Sequence, residues 1–300
     1  MDARRWRWIG GLLGIALLAL VGWRLVQYRN QLVLDWGMLS WPLLAAALAC
    51  ACAAQLAFAS AWHALLARGA AGTWAHDAAR WSVSLAGKYL PGKIFQAVLR
   101  LGTYRGSQGG ARVAPALLRE MLLSVGAACT WVALHLSLSS AGPRVLLWPM
   151  VASALLLTLL ALPIAARPLA WLLARLLPRR GDEYAALAPA HLASAWLLQL
   201  AGYFLLGVAV WLLARAIAPA HAPGLLAAVG GLCFAGVAGV AAFVVPAGIG
   251  VREAALAWYL AAWLPAGPAA LLAIAARLCL SLAEAIAIAI GLARMRAERH

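Results

Sequence analysis

The sequence predicts an all-α membrane protein with about six full spans and two broken or re-entrant helical hairpins, arranged as an inverted repeat. Three observations lead there. Apolar residues make up 66% of the 300 residues and charged residues 11%, against roughly 45–50% and about 25% in soluble domains. Mean hydropathy is +0.89. The apolar runs are long and continuous, whereas barrel strands would be about ten residues of alternating polarity. Two zones, near residues 75–104 and 225–264, interrupt these runs with proline–glycine breaks. A water-soluble globule cannot hide this much apolar surface. Disorder needs the opposite composition, low hydrophobicity with high charge.

The elements follow in order. A first span is expected over Trp8–Val26, behind Arg4, Arg5 and Arg7. The layout is that of a signal peptide, but no small-residue cleavage site follows, so the segment is read as a retained span. A second span covers 41–66. On either side of Pro91-Gly92 the apolar stretches are too short for a hydrocarbon core about 30 Å thick, which needs about 20 helical residues. A third span covers 113–138 and carries Glu120; a fourth covers 145–166. The segment 167–180 is short, basic and amphipathic, and reads as a helix lying on the membrane surface. A fifth span covers 191–214. The run Leu225–Val245, with Gly230, Gly231, Gly236 and Gly239, then leads into a second break, Pro246-Ala247-Gly248-Ile249-Gly250-Val251-Arg252-Glu253. A short apolar stretch, Ala254–Leu264, precedes the last span, 269–292. The whole of 1–300 is expected to form one integral membrane domain, with halves 1–138 and 145–292.

The net charge of +15 fits this picture. With the N-terminus inside and each hairpin returning to its own side, the outer face receives only Arg24, Arg29, Arg144 and Arg215. The other basic residues outside the spans fall on the cytoplasmic face or in the hairpins. The positive-inside rule then puts both termini in the cytoplasm, in an inner (plasma) membrane protein. The two hairpins enter from opposite sides, each between two full spans. That is the arrangement of transporters whose broken helices meet at a substrate site near the bilayer midplane. No zinc-finger spacing, recognition helix or aromatic–basic platform supports nucleic acid. Cys50, Cys52, Cys129, Cys233 and Cys279 all lie in apolar runs and read as packing residues. The glycines of Gly236-Val237-Ala238-Gly239 read as sites of close helix contact. No metal-ligand cluster, cofactor motif or recognised catalytic motif is present, so no cofactor is expected and no motif points to an enzymatic activity.

Three groups of residues carry the chemistry. In the first break, Lys88, Pro91, Gly92, Lys93 and Gln96 lie together, and Lys88 and Lys93 are the only lysines of the chain. Proline frees backbone N–H groups, and the start of the next half-helix attracts anions. The lysines suit a phosphate headgroup, or they are ordinary positive-inside residues of a cytoplasmic loop. In the second, Pro246, Gly248 and Gly250 open a short helix whose first turn carries Arg252 and Glu253, a substrate site or a structural ion pair closing the hairpin. In the third, Arg119, Glu120, Arg277, Ser281 and Glu284 lie inside spans. Arg277, Ser281 and Glu284, at i, i+4 and i+7, share one helix face. Charges at this depth form either a polar path or interhelical glue, such as Arg277–Glu120 or Arg252–Glu284.

These motifs together resemble the lysylphosphatidylglycerol synthase transmembrane region family, flippase-like membrane proteins. The resemblance rests on Lys88-Tyr89-Leu90-Pro91-Gly92-Lys93-Ile94-Phe95-Gln96, Leu117-Leu118-Arg119-Glu120, Pro246-Ala247-Gly248-Ile249-Gly250-Val251-Arg252-Glu253, and Arg277-Leu278 with Glu284. Ala247 stands where the family has a glycine, and the first motif is the variant with Lys-Tyr before Leu-Pro-Gly-Lys. The resemblance implies an inner-membrane protein. In multiple peptide resistance factors this membrane region is linked to moving lysyl-phosphatidylglycerol between leaflets. A separate soluble domain there adds the amino acid, and the predicted spans leave no room for one here. The expected function is a flippase or transporter of an anionic phospholipid or lipid-linked glycan. Two alternatives remain. One is an enzyme that modifies a lipid headgroup with Glu253 or Glu120 as general base. The other is a non-catalytic partner that holds a cytoplasmic glycosyltransferase or synthase through 167–180.

Overall fold

The computed structural model describes residues 40–66, 72–89, 94–104, 110–161, 189–242, 245 and 248–297. Among these, all regular structure is helical. The helices are α1 (Trp41–Leu65), α2 (Trp74–Ser84), α3 (Ile94–Thr103), α4 (Gly110–Leu138), α5 (Leu147–Ala161), α6 (Pro189–Ile217), α7 (Leu225–Ala241), α8 (Val251–Leu260) and α9 (Ala266–Ala297). Short 3-10 turns occupy Leu85–Tyr89, Arg144–Leu146 and Pro219–His221. Five segments are long and apolar enough to cross a membrane: Trp41–Leu65, Val113–Leu138, Arg144–Ala161, His191–Ile217 and Ala266–Ala297. They match the second to sixth expected spans. The first expected span (8–26) and the surface helix (167–180) lie outside the described residues.

The two interrupted zones form pairs of short helices. Helices α2 and α3 flank Leu85–Tyr89 in the first; α7 and α8 flank the second break. None of the four has the ~20 residues that span a hydrocarbon core. Helix α2 begins at Thr73, whose hydroxyl accepts from the His76 N–H at 3.4 Å, a serviceable N-cap. Helix α8 begins at Gly250, which sits at φ +83°, two residues after Gly248 at φ +65°. Glycine adopts such angles without the Cβ clash that burdens other residues. Glu253 at the third helical position accepts the Gly250 N–H at 2.5 Å. This is the return half of a capping box.

Small residues set the packing. On α1, Ala47, Ala51 and Ala54 are fully buried, spaced so that they form one stripe. They share a core with Ala209, Val210, Leu213 and Ala214 of α6, and α1 and α6 are close neighbours along their length. A Cβ on Gly207 of α6 would lie 2.6 Å from the Val229 Cα of α7, and one on Gly291 of α9 would lie 2.8 Å from the Ala79 carbonyl oxygen of α2. Lipid tails are as apolar as leucine, so helices in a bilayer associate by close backbone approach of this kind. Two apolar clusters result. One joins α1, α4, α6, α7, α8 and α9; the other joins Trp81 of α2 and Leu85 of the turn to the C-terminal part of α1 and the N-terminal parts of α4 and α6. Helix α4 packs on α7, and α9 packs on α2.

Candidate functional site

Two charged groups are built inside the helix bundle. The first joins the Leu85–Tyr89 turn, α8 and α9. Lys88 forms an ion pair with Glu284. The Tyr89 hydroxyl donates to the other Glu284 oxygen at 2.5 Å, with Ser281 close by on the same helix face. Two turns before Glu284 on the same α9 face, Arg277 Nε lies 3.6 Å from Glu253 Oε1. That is an ion-pair distance, too long for a hydrogen bond. Accordingly Glu253 Oε1 has no hydrogen-bond partner, while Oε2 is held by the Gly250 N–H. Glu253 is 3% exposed.

Arg252 completes this group. It lies within electrostatic range of Arg277, Glu253, Glu284 and Lys88. Its buried Nε has no hydrogen-bond partner. The side chain rests on the backbone of α7: a Cβ added to Gly239 would lie 2.4 Å from Arg252 Nε and 2.5 Å from its Cγ. Three cations thus face two carboxylates, and the cation on α8 carries an N–H with nothing to donate to. An unpaired buried guanidinium donor is costly, and an anion is the group that would relieve it. Gly239→Ala is therefore expected to displace Arg252 without unfolding the protein. The check is a near-normal melting temperature together with weakened binding of anionic lipid.

The second group joins α1, α2, α3 and α4. Arg100, 1% exposed, forms an ion pair with Glu120 and donates through Nε to Ser84 Oγ at 2.9 Å. Its guanidinium lies 4.5 Å from the Trp62 ring centroid. The Trp81 indole N–H donates to Glu120 Oε1 at 2.7 Å. The Trp62 indole N–H donates to the Tyr104 hydroxyl at 3.0 Å, which donates to Asp77 Oδ1 at 3.0 Å. His63 Nδ1 meets Asp77 Oδ2 at 2.8 Å. Fully buried Asp77 is thereby satisfied from two helices. Every member of this group is engaged, as a structural network inside a low-dielectric interior requires.

The expected site residues separate as follows. Lys88, Gly248, Gly250, Arg252, Glu253, Arg277, Ser281 and Glu284 belong to the first group. Glu120 belongs to the second. Arg119 is buried and forms no ion pair with a described carboxylate. Gln96 contributes backbone: a Cβ on Gly87 would lie 2.6 Å from the Gln96 N and Cα. Pro91, Gly92, Lys93 and Pro246 lie outside the described residues. The pairings Arg277–Glu120 and Arg252–Glu284 are not formed as ion pairs. Arg100 takes Glu120 and Lys88 takes Glu284, because the first hairpin inserts its own cations between the spans. Of the Gly236–Gly239 pair only Gly239 makes a close contact; Gly236 faces open space. Sequence reasoning assigned no site role to Arg100, Trp81, Gly87 or Tyr104. Arg100 resembles any positive-inside residue until its indole neighbours are known.

Comparison of the chain with family models, curated proteins and solved structures found no match.

Proposed function

We propose that the protein moves an anionic lipid between the leaflets of an inner membrane, with both termini cytoplasmic, and that it belongs to the lysylphosphatidylglycerol synthase transmembrane region family. The observation that carries this reading is the group of Lys88, Arg252 and Arg277 against Glu253 and Glu284, with the Arg252 Nε unpartnered and buried. The excess cation suits a headgroup phosphate. The two carboxylates hold Lys88 and Arg277 in place and keep the attraction weak enough for release.

Helix neighbours support the inverted repeat. Exchanging α1 with α6, α2 with α7 and α4 with α9 turns the α4–α7 contact into the α9–α2 contact, and the α4–α6 contact into the α9–α1 contact. All four are present. In such a repeat the two hairpins lie on opposite sides of the membrane and approach a shared site.

An enzymatic use of Glu253 or Glu120 as general base has less support. A base must be free to take a proton from substrate. Glu253 is tied to the Gly250 N–H and faces Arg277, and Glu120 is tied to Arg100 and Trp81. Anchoring of a cytoplasmic glycosyltransferase or synthase would fall to 167–180, outside the described residues.

The test is binding of phosphatidylglycerol by the purified protein in nanodiscs of zwitterionic lipid. Arg252→Ala is expected to weaken it about tenfold or more, from loss of one charge-assisted contact worth roughly 1.5–3 kcal/mol. Unchanged affinity in a folded Arg252→Ala protein contradicts the reading.

A further inference from the structure

The first charged group does not account for an adjoining groove between α1, α2 and α9. It encloses about 340 Å³, within the roughly 300–1,000 Å³ of ligand pockets. Its floor is made of small residues, including Ala59, Ala78, Ala283, Ala287 and Gly291. Leu56 and Ile290 stand exposed at its edges. Elsewhere the lipid-facing surface projects bulky side chains, as with Leu155, Leu156 and Leu159 of α5.

A hollow of small residues alone would be only a packing feature. Gln55 makes it more. Its side chain lines the groove and is 6% exposed, and no described group hydrogen-bonds its amide. The amide atoms are not themselves enclosed by protein, so what they meet is the groove. Gln55 lies ten residues before the Leu65 end of α1, about 15 Å into a core about 30 Å thick. No headgroup rests at that depth in an undisturbed leaflet. Ala283 of the groove lining directly precedes Glu284 in α9, so the groove and the charged group are adjacent along that helix, although Glu284 itself does not line the groove. From Ala283 to Gly291 the α9 wall runs about 12 Å, close to the ~15 Å half-thickness of the core.

We propose that this groove holds one acyl chain of a glycerophospholipid in transit, with the Gln55 amide meeting the ester oxygens of that chain. The proposal rests on the lipid-transport reading and narrows its substrate. A polyprenyl phosphate carrier has a phosphate for the cations but no ester carbonyl for Gln55. A glycerophospholipid has both.

The experiment uses phosphatidylglycerol with a diazirine midway along one acyl chain, photolysed with the full chain in nanodiscs. Adducts are expected to concentrate at Leu56 and at Ile286–Ile290, above the level at Leu155–Leu159. Ala287→Trp fills the groove and is expected to cut the Leu56 adducts about fivefold, equivalent to roughly 1 kcal/mol. Gln55→Leu preserves the volume. It is expected to keep the adducts but let polyprenyl phosphate compete as well as unlabelled phosphatidylglycerol. This second variant keeps the test open should Ala287→Trp fail to fold. Equal labelling of groove and α5 surface overturns the proposal, even where lipid transport is observed. Groove labelling in a protein that exchanges no lipid upholds the groove and overturns the transport reading instead.

Discussion

Glu120→Ala is expected to destabilise the protein by about 3–5 kcal/mol, the cost of stranding one member of a buried ion pair. Arg100 is 1% exposed and Glu120 is its ion-pair partner. Without the carboxylate the guanidinium keeps the Ser84 hydroxyl and the Trp62 ring face, and neither neutralises its charge. The Trp81 indole N–H also loses its acceptor. Total stabilities of about 5–15 kcal/mol are typical, so this one change removes a large share. Glu120→Gln keeps an acceptor for Trp81 and is expected to cost less. Replacing both Arg100 and Glu120 by leucine removes the charge together with its partner. It is expected to recover much of the loss, since buried pairs often break even against apolar residues. Melting temperatures in detergent for the two singles and the double check this. A Glu120→Ala protein that melts with the wild type would show that Arg100 finds another partner or water.

Gly87→Ala is expected to be the most damaging alanine substitution in the first hairpin. Its Cβ would lie 2.6 Å from Gln96 N and Cα and 2.7 Å from the Phe95 carbonyl carbon. These are backbone atoms at the start of α3, and no rotamer change moves them aside. The Leu85–Tyr89 turn must therefore separate from α3. Strain of this kind costs about 1–3 kcal/mol in packed cores. The functional effect is expected to be larger, because Lys88 and Tyr89 reach Glu284 from the next two positions of the chain. Gly102 on α3 is the control. Its Cβ would meet nothing within 4 Å, so Gly102→Ala is expected to be neutral or to stabilise the helix by up to about 1 kcal/mol. Equal melting temperatures and equal lipid binding for the two variants would contradict the account of the turn.

Much of this architecture is legible in the sequence. Long, mostly apolar stretches have few structural outcomes, so the spans expected at 41–66, 113–138, 145–166, 191–214 and 269–292 correspond to helices long and apolar enough to cross a membrane, with ends shifted by a few residues. The interruptions at the two proline–glycine breaks were also legible, since each zone folds as two short helices rather than one long one. The helix face shared by Arg277, Ser281 and Glu284 follows from the helical period. What that face meets does not. Periodicity orders residues around one helix and is silent on which neighbour it packs against, so Glu120 was open to Arg277 when Arg100 in fact takes it. Gly239 reads from sequence as a contact for another helix backbone. Its partner is the Arg252 side chain, which only the folded second hairpin brings there.

The most direct test is leaflet exchange in proteoliposomes. Fluorescent phosphatidylglycerol is placed in both leaflets and the outer pool is quenched chemically. With wild-type protein, quenching is expected to pass beyond the outer-leaflet fraction. With Arg252→Ala, or with no protein, it is expected to stop there. Wild-type vesicles that stop at the outer leaflet, or Arg252→Ala vesicles that match the wild type, would contradict the claim that this charged group carries an anionic lipid across the membrane.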